Sequence, residues 1–193
     1  MYHKYHVKGL VFSSLEEGQD NRRVWILTDS LGLISAKSVS GRSPISKMRL
    51  AIQEYGLGSF SLVYGKGGWR LVGASSDKNY FELMRSSVLK LKAFRNISNL
   101  LKRLVMEQEM GRELFDVVVS FLDFISSSEE KHVFLAECIT VLRVLYRLGF
   151  LDKDVSPDLY LQDVDLKTSF ASLPYESSYL VSIINKSLKE TGV

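Results

Sequence analysis

Basic side chains are concentrated in the N-terminal part of this sequence, where they could bind phosphate groups. The first 76 residues contain ten Lys and Arg against five Asp and Glu, the remaining 117 contain 15 against 17, and the net charge is +3. Lys and Arg bind a polyanion by displacing its condensed counterions. The candidate phosphate contacts are Arg22, Lys37, Arg42, Lys47, Arg49, Lys66 and Arg70. The alternative for each of them is an ordinary solvated surface cation.

Aromatic rings lie among these cations and could stack on nucleobases. Trp25, Tyr64 and Trp69 occur in segments that alternate apolar and polar residues. Stacking of bases on aromatic rings adds to single-strand affinity, because every base has a flat π-face. The alternative is that the three rings fill the protein core, as aromatic residues on alternating strands commonly do.

The elements that must position these side chains read as strand, strand, strand, helix, strand, strand. Strands are predicted over residues 6–14, 22–29, 33–39, 58–65 and 68–75, and a helix within residues 40–56. Each strand segment is rich in β-branched and aromatic residues and ends in turn-forming residues. We therefore expect a five-stranded OB-fold barrel, whose open strand face commonly binds oligonucleotides. The helix is expected to close one end of the barrel.

Glycines mark two of the predicted turns. Gly32 is expected to supply the positive φ of a tight hairpin between the second and third strands. Gly65, Gly67 and Gly68 surround Lys66, but the GxxxxGK[ST] pattern of a phosphate-binding loop is absent and no helix is predicted to follow. The sequence therefore predicts a β-hairpin tip at Lys66.

From residue 77 the apolar spacing changes from two to about 3.6, which is typical of helices. Helices are predicted over residues 80–107 and 112–125, from 129 to a stop at Gly149, near Ser156, and over 174–189, with a polar loop at 162–174. The expected fold class is α+β. An OB-fold DNA-binding domain at residues 1–76 is expected to join an α-helical domain at 77–193 through a short link near residues 75–78.

Residue types used in catalysis and metal binding are sparse. The single cysteine, Cys138, sits among apolar residues at helical spacing, which predicts a small buried residue and not a reactive thiol. His3 and His6 would point to opposite faces of a strand, so they are not expected to share a metal ion. We expect a protein without enzymatic activity, cofactor or metal site. No secretion signal and no apolar run of membrane-spanning length occurs, so a cytoplasmic location without membrane contact is expected.

Several stretches resemble the bacterial recombination mediator family RecO. They are YHVKGLVFSS, NRRVWILTDSLGLISAKSVSGR, SKMRLAIQEYGLGSFSLVYGKGGWRLVGAS and FLAECITVLRVLYRLGFL. The resemblance implies a non-enzymatic, nucleoid-associated protein that binds single- and double-stranded DNA and anneals complementary strands. With RecR, such a protein helps RecA replace single-strand-binding protein. The resemblance places DNA contacts on Arg22, Lys37, Arg42, Lys47 and Arg49, and the zinc module that many members carry is missing.

The resemblance also implies a second binding surface. The family's helical domain receives the acidic, apolar C-terminal tail of single-strand-binding protein, and such a tail needs an apolar groove flanked by cations. The candidate cations are Lys102, Arg103, Arg143 and Arg147. The alternative is that these charges belong to solvated helix faces.

Two other classes of function stay open at this point. An adaptor could use the barrel to bind another protein, with the basic residues incidental. An RNA-binding OB-fold protein could use the same residues on structured RNA. The DNA-binding mediator is expected to bind short single strands with an affinity that weakens steeply with salt. An adaptor is expected to keep its DNA binding when Arg42, Lys47 and Arg49 are changed together, and an RNA-binding protein to prefer structured RNA to single-stranded DNA.

Overall fold

The N-terminal half of the chain forms a sheet with one helix, and the C-terminal half is helical. The computed structural model describes residues 3–17, 21–39, 45–105, 111–151, 161, 166 and 177–190. The strands are β1 (Lys4–Glu17), β2 (Asn21–Thr28), β3 (Gly32–Val39), β4 (Gly56–Gly65) and β5 (Gly68–Asn79). The longer helices in this described part are α1 (Ile45–Ala51), α2 (Tyr80–Met84), α3 (Val88–Leu104), α4 (Gly111–Ser127), α5 (Val133–Arg147) and α6 (Ser177–Glu190). The predicted α+β class, with five strands followed by helices, is confirmed.

The five strands form a sheet that closes on itself. Hydrogen-bonded neighbours follow the order β1-β2-β3-β5-β4, and β4 pairs in turn with β1. The β3–β5 pair is parallel, whereas the other four pairs are antiparallel. Strand β1 pairs with two neighbours: its N-terminal part pairs with β4 and its C-terminal part pairs with β2.

Alternation along the strands separates a buried inner face from an outer face. The buried core of the sheet consists of Val7, Val11, Val24, Ile26, Ile34, Ala36, Ile52, Phe60, Leu62, Trp69 and Leu71. Because successive strand residues point to opposite faces, the strand residue directly before or after a core position points to the other face. The phase of the core residues therefore determines which charged side chains reach the surface of the sheet.

The two predicted glycine turns are confirmed. Gly32 has a φ of +68° at the turn between β2 and β3. The buried Thr28 hydroxyl brackets this turn, since it donates to the Gly32 carbonyl at 2.8 Å and accepts from the Leu31 amide at 2.9 Å. Lys66 and Gly67 form the turn between the antiparallel strands β4 and β5, so the glycines around Lys66 belong to a hairpin.

Two strands are longer than predicted. Strand β5 continues to Asn79, and its last residues pair with the start of β4, with Lys78 opposite Leu57 and Asn79 opposite Gly56. The link expected near residues 75–78 is therefore part of the sheet. Strand β1 likewise continues to Glu17, paired with Asn21 of β2. In both cases a partner strand supplies the backbone hydrogen bonds that extend a polar segment.

The predicted helix over residues 80–107 is wrong, because the described part of it contains two helices. The Asn79 side chain accepts a hydrogen bond from the Phe81 amide at 2.9 Å at the start of α2. The Ser87 amide then donates to the Met84 carbonyl at 2.8 Å, and the Ser87 hydroxyl accepts from the Lys90 amide at 3.3 Å as the N-cap of α3. Side chains that bond the backbone locally in this way compete with helix continuation.

The other predicted helices agree more closely with the structure. Helix α4 covers the segment predicted at 112–125, and a 3-10 helix (Glu130–His132) leads into α5. Helix α5 ends at Arg147, and Gly149 follows with a φ of +74°, as the predicted stop requires. Helix α6 agrees with the last predicted helix from residue 177 onward, and residues 174–176 of that prediction lie outside the described residues. Ser156 and nearly all of the loop predicted at 162–174 lie outside the described residues.

The chain divides into two compact units. The first, here called the sheet unit, comprises Met1–Leu83 and Met106–Phe115. The second, the helical unit, comprises Met84–Val105 and Asp116–Val193. Within the helical unit α5 packs against α3 and α6. Fully buried side chains of this unit are Phe94, Ile97, Leu101, Phe121, Leu122, Ile139, Leu142, Leu145 and Leu180.

Replacing Ser87 by alanine is expected to destabilise the helical unit by about 1 kcal/mol, because the N-cap acceptor of α3 is lost. Ser87 also donates a hydrogen bond to Glu130. The change should lower the midpoint of urea unfolding followed by far-ultraviolet circular dichroism. Ser86, exposed in the same turn, is the matched control, and Ser86→Ala should leave the midpoint unchanged. Equal effects of the two substitutions would contradict the capping role.

Candidate nucleic-acid interface

Three cations lie side by side across three adjacent strands. Arg23 of β2 is directly opposite Lys37 of β3, and Lys37 is in register with Arg70 of β5. We call Arg23, Lys37 and Arg70 the cationic row. Their chain neighbours Val24 and Ala36 are in the core, so the side chains of the row point away from it. Strand pairing thus assembles a basic surface from residues that are far apart in the sequence.

The cationic row is unfavourable for folding and favourable for anion binding. Directly opposed side chains on neighbouring strands have Cβ atoms about 5 Å apart, and like charges at that position are destabilising. Arg23 and Arg70 are exposed and Lys37 is half-buried. A polyanion lying along the row would relieve this repulsion, and release of its counterions would add favourable free energy.

Glu17 partly neutralises one end of the row. Its Oε1 atom lies 2.8 Å from Nη2 of Arg23. The hydrogen bond from Arg23, with the nearby charges of Arg23 and Lys37, holds the pKa of the Glu17 carboxyl below its usual value. Nη1 of Arg23 also donates to the Ser35 hydroxyl at 3.4 Å. A phosphate must therefore compete with Glu17 for Arg23, whereas the three cations together keep a net positive charge.

The sequence prediction included Arg22 and omitted Arg23, and the structure separates these two residues. Arg22 lies on the same side of β2 as Val24, opposite to the side chain of Arg23. Its Nη2 atom is 3.5 Å from Oε1 of Glu16, the β1 residue that is directly opposite Arg22. Arg22 is therefore not part of the cationic row. The phase of Val24 and Ile26 along the strand was the signal that could have identified Arg23.

Three of the predicted phosphate contacts, Arg42, Lys47 and Arg49, are only partly within the described residues. Arg42 and the side chain of Lys47 lie outside them. Arg49 is exposed near the end of α1, a helix that packs against β4 and β5. Of the seven predicted phosphate contacts, Lys37 and Arg70 belong to the cationic row.

The hairpin tip and three aromatic rings complete the predicted site residues of the sheet unit. Lys66 is exposed at the tip, close in sequence to Arg70. Trp25 is half-buried and lies on the same side of β2 as Arg23. Tyr64 is 53% exposed, whereas Trp69 is 9% exposed and belongs to the core. Trp69 therefore fills the interior, as the alternative considered for these rings requires, and Tyr64 is the most open ring of the three.

The four cations predicted in the helical unit differ in exposure. Arg103 is exposed, and Lys102 and Arg147 are half-buried. Arg143 is only 6% exposed, so its side chain belongs to the interior of the unit. It therefore does not act as an open surface cation, and the four residues do not form a uniformly exposed basic face.

Cys138 is a structural residue. It is 5% exposed, and burial, with a smaller contribution from the Glu137 charge, raises the pKa of its thiol to about 11. The thiol is therefore protonated at neutral pH and a poor nucleophile, and the prediction of a small buried residue is confirmed. Among the described residues, no group of three or more metal-ligating side chains is placed to hold a metal ion.

None of the helices in the described part of the chain combines the length and the apolar character needed to cross a membrane. No protein-family model matches the sequence, and no curated protein matches it at a significant level.

Proposed function

We propose that the sheet unit is an OB-fold that binds DNA without enzymatic activity, with the cationic row as its phosphate-binding surface. The order β1-β2-β3-β5-β4, the return of β4 to β1, and the position of α1 between β3 and β4 support this fold assignment. OB-folds bind oligonucleotides on the face of their second and third strands and at the loop between the fourth and fifth strands. Arg23 and Lys37 occupy that face here, and Lys66 occupies that loop.

The observation that carries this proposal is the register of the row. Arg23, Lys37 and Arg70 are in direct register across β2, β3 and β5. Three adjacent like charges do not stabilise the fold, since they repel one another. A phosphate backbone supplies the missing negative charge without any base-specific contact. Single and double strands are therefore both ligands of the row.

The cellular role proposed for this binding is that of a recombination mediator. It rests on the resemblance to the RecO family described above. In this role the chain anneals complementary strands and, together with RecR and the tail of single-strand-binding protein, assists RecA indirectly. An electropositive surface that binds backbone without reading sequence suits such a role, because annealing must accept any pair of complementary strands.

A salt titration tests the DNA-binding proposal. A short single-stranded oligodeoxynucleotide should bind with an affinity that falls with salt at a log–log slope of roughly −2, because three phosphates are neutralised at about −0.7 each. Fluorescence anisotropy of the labelled strand at several salt concentrations measures this slope. A flat response would overturn the proposal, and tighter binding of an RNA hairpin than of single-stranded DNA would favour the RNA-binding alternative.

The mediator role has a separate test. Labelled complementary strands coated with single-strand-binding protein should anneal faster when this chain is added. Normal DNA binding without faster annealing would contradict the mediator role while leaving the proposed binding site intact.

A further inference from the structure

We propose that the aromatic cluster at one end of the sheet stacks an unpaired nucleobase on Tyr64, so that the chain prefers single strands to duplexes. This inference rests on the proposed DNA binding and specifies which part of the nucleic acid is recognised. The cluster consists of His3, Tyr5, Tyr64 and Trp69. It lies where β1 begins, β4 ends and β5 begins.

The four rings form a continuous chain of edge-to-face contacts. Ring centroids are 4.6 Å apart for His3 and Tyr5, 5.1 Å for Tyr5 and Trp69, and 4.9 Å for Tyr64 and Trp69. The interplanar angles are 77°, 81° and 63°, respectively. Trp69 is anchored in the core, and Tyr64 is its direct partner across the β4–β5 pair. The position of Tyr64 is therefore fixed by the core and by strand pairing.

Tyr64 offers a flat surface to solvent. Its ring meets Trp69 in an edge-to-face arrangement, which covers at most one face of the tyrosine. The residue is 53% exposed, although tyrosine is a large, partly apolar side chain. A base stacked on the open face would cover apolar surface of both partners, and such stacking accepts any base.

One cation lies next to this surface along the chain. Lys66 is exposed at the hairpin tip, two residues after Tyr64. Lys4 and Arg70 are in register with Val63, the chain neighbour of Tyr64. They therefore belong to the opposite side of the sheet from the Tyr64 ring, which shares its side with Trp69. A phosphate next to a base stacked on Tyr64 would meet Lys66, whereas the cationic row lies on the other side of β5.

The arrangement distinguishes single strands from duplexes by a physical criterion. In a duplex both faces of nearly every base are covered by neighbouring base pairs, so a duplex reaches only the cations. A single strand can place a base on Tyr64 as well. Stacking of one base on an aromatic ring contributes about 1–3 kcal/mol to binding. Removal of the Tyr64 ring is therefore expected to weaken single-strand binding roughly fivefold or more.

Three variants and two probes test the inference. Tyr64→Ala removes the ring, Tyr64→Leu removes it while keeping an apolar contact with Trp69, and Tyr64→Phe keeps it. The probes are a thymine oligodeoxynucleotide and an oligomer of the same length whose backbone carries no bases. Tyr179→Ala is the matched control, because Tyr179 is 47% exposed on α6 of the helical unit.

We expect Tyr64→Ala and Tyr64→Leu to bind the thymine strand at least fivefold more weakly than wild type, and to bind the base-free strand and duplex with unchanged affinity and unchanged salt slope. Tyr64→Phe and Tyr179→Ala should match wild type. Equal losses on the thymine and base-free strands, or no loss on the thymine strand, would overturn the stacking role. Absence of wild-type binding to both probes would instead overturn the proposed function.

Discussion

Single-strand binding should fall by roughly a hundredfold at 0.1 M salt when Arg23, Lys37 and Arg70 are all replaced by alanine. Each phosphate neutralised on a single strand contributes about 0.7 to the log–log salt slope, which corresponds to about fivefold in affinity at that salt concentration. The salt slope itself should move from roughly −2 towards zero. Anisotropy titrations of one labelled oligonucleotide at several salt concentrations measure both quantities.

Two controls make this result specific. The triple change of Arg95, Lys186 and Lys189 to alanine removes the same charge from exposed positions of the helical unit, and it should leave affinity and slope nearly unchanged. Glu17→Gln removes the carboxylate that holds Arg23, so it should strengthen binding.

The variant with Arg23, Lys37 and Arg70 replaced should melt no earlier than wild type, because the repulsion between the three cations is gone. Equal losses in the two triple variants would mean that net charge, and not the cationic row, governs binding.

Replacing Phe60 by alanine should destabilise the sheet unit by about 3–5 kcal/mol, the range typical of a buried phenylalanine. Phe60 is 1% exposed in the core of the sheet. A Cβ atom placed on Gly9 of the neighbouring strand would lie 3.0 Å from the Phe60 ring. The Phe60 ring therefore packs against the backbone of Gly9. Because glycine has no side chain, Gly9 cannot fill the cavity that Phe60→Ala would leave.

Tryptophan fluorescence can follow this loss in the sheet unit alone, because both tryptophans of the chain, Trp25 and Trp69, belong to it. The urea midpoint reported by fluorescence should fall sharply in Phe60→Ala. Phe81→Ala is the control in the same unit, since Phe81 is 41% exposed, and we expect a loss of about 1 kcal/mol or less. Similar losses in the two variants would contradict the central position of Phe60.

The elements that the sequence predicted well are those with a local cause. Strand positions followed from alternation over a few residues, and the turn at Gly32 and the helix stop at Gly149 followed from backbone angles that favour glycine. The break before α3 was missed because the apolar spacing continues across it. The signal there was a serine N-cap at Ser87, which is local but weaker than the periodicity.

For the candidate site, the sequence alone determined that the N-terminal segment carries excess positive charge. It also identified Lys37, Lys66 and Arg70 among the candidate phosphate contacts and Tyr64 among the candidate stacking rings. The sequence alone did not determine which of these cations are neighbours in the sheet. Tertiary structure decided that Arg23, and not Arg22, joins Lys37 and Arg70, and that Tyr5 joins Tyr64 at Trp69. The physical reason is strand register: alternation states which side of its own strand a residue faces, whereas its neighbours depend on hydrogen bonding between distant segments.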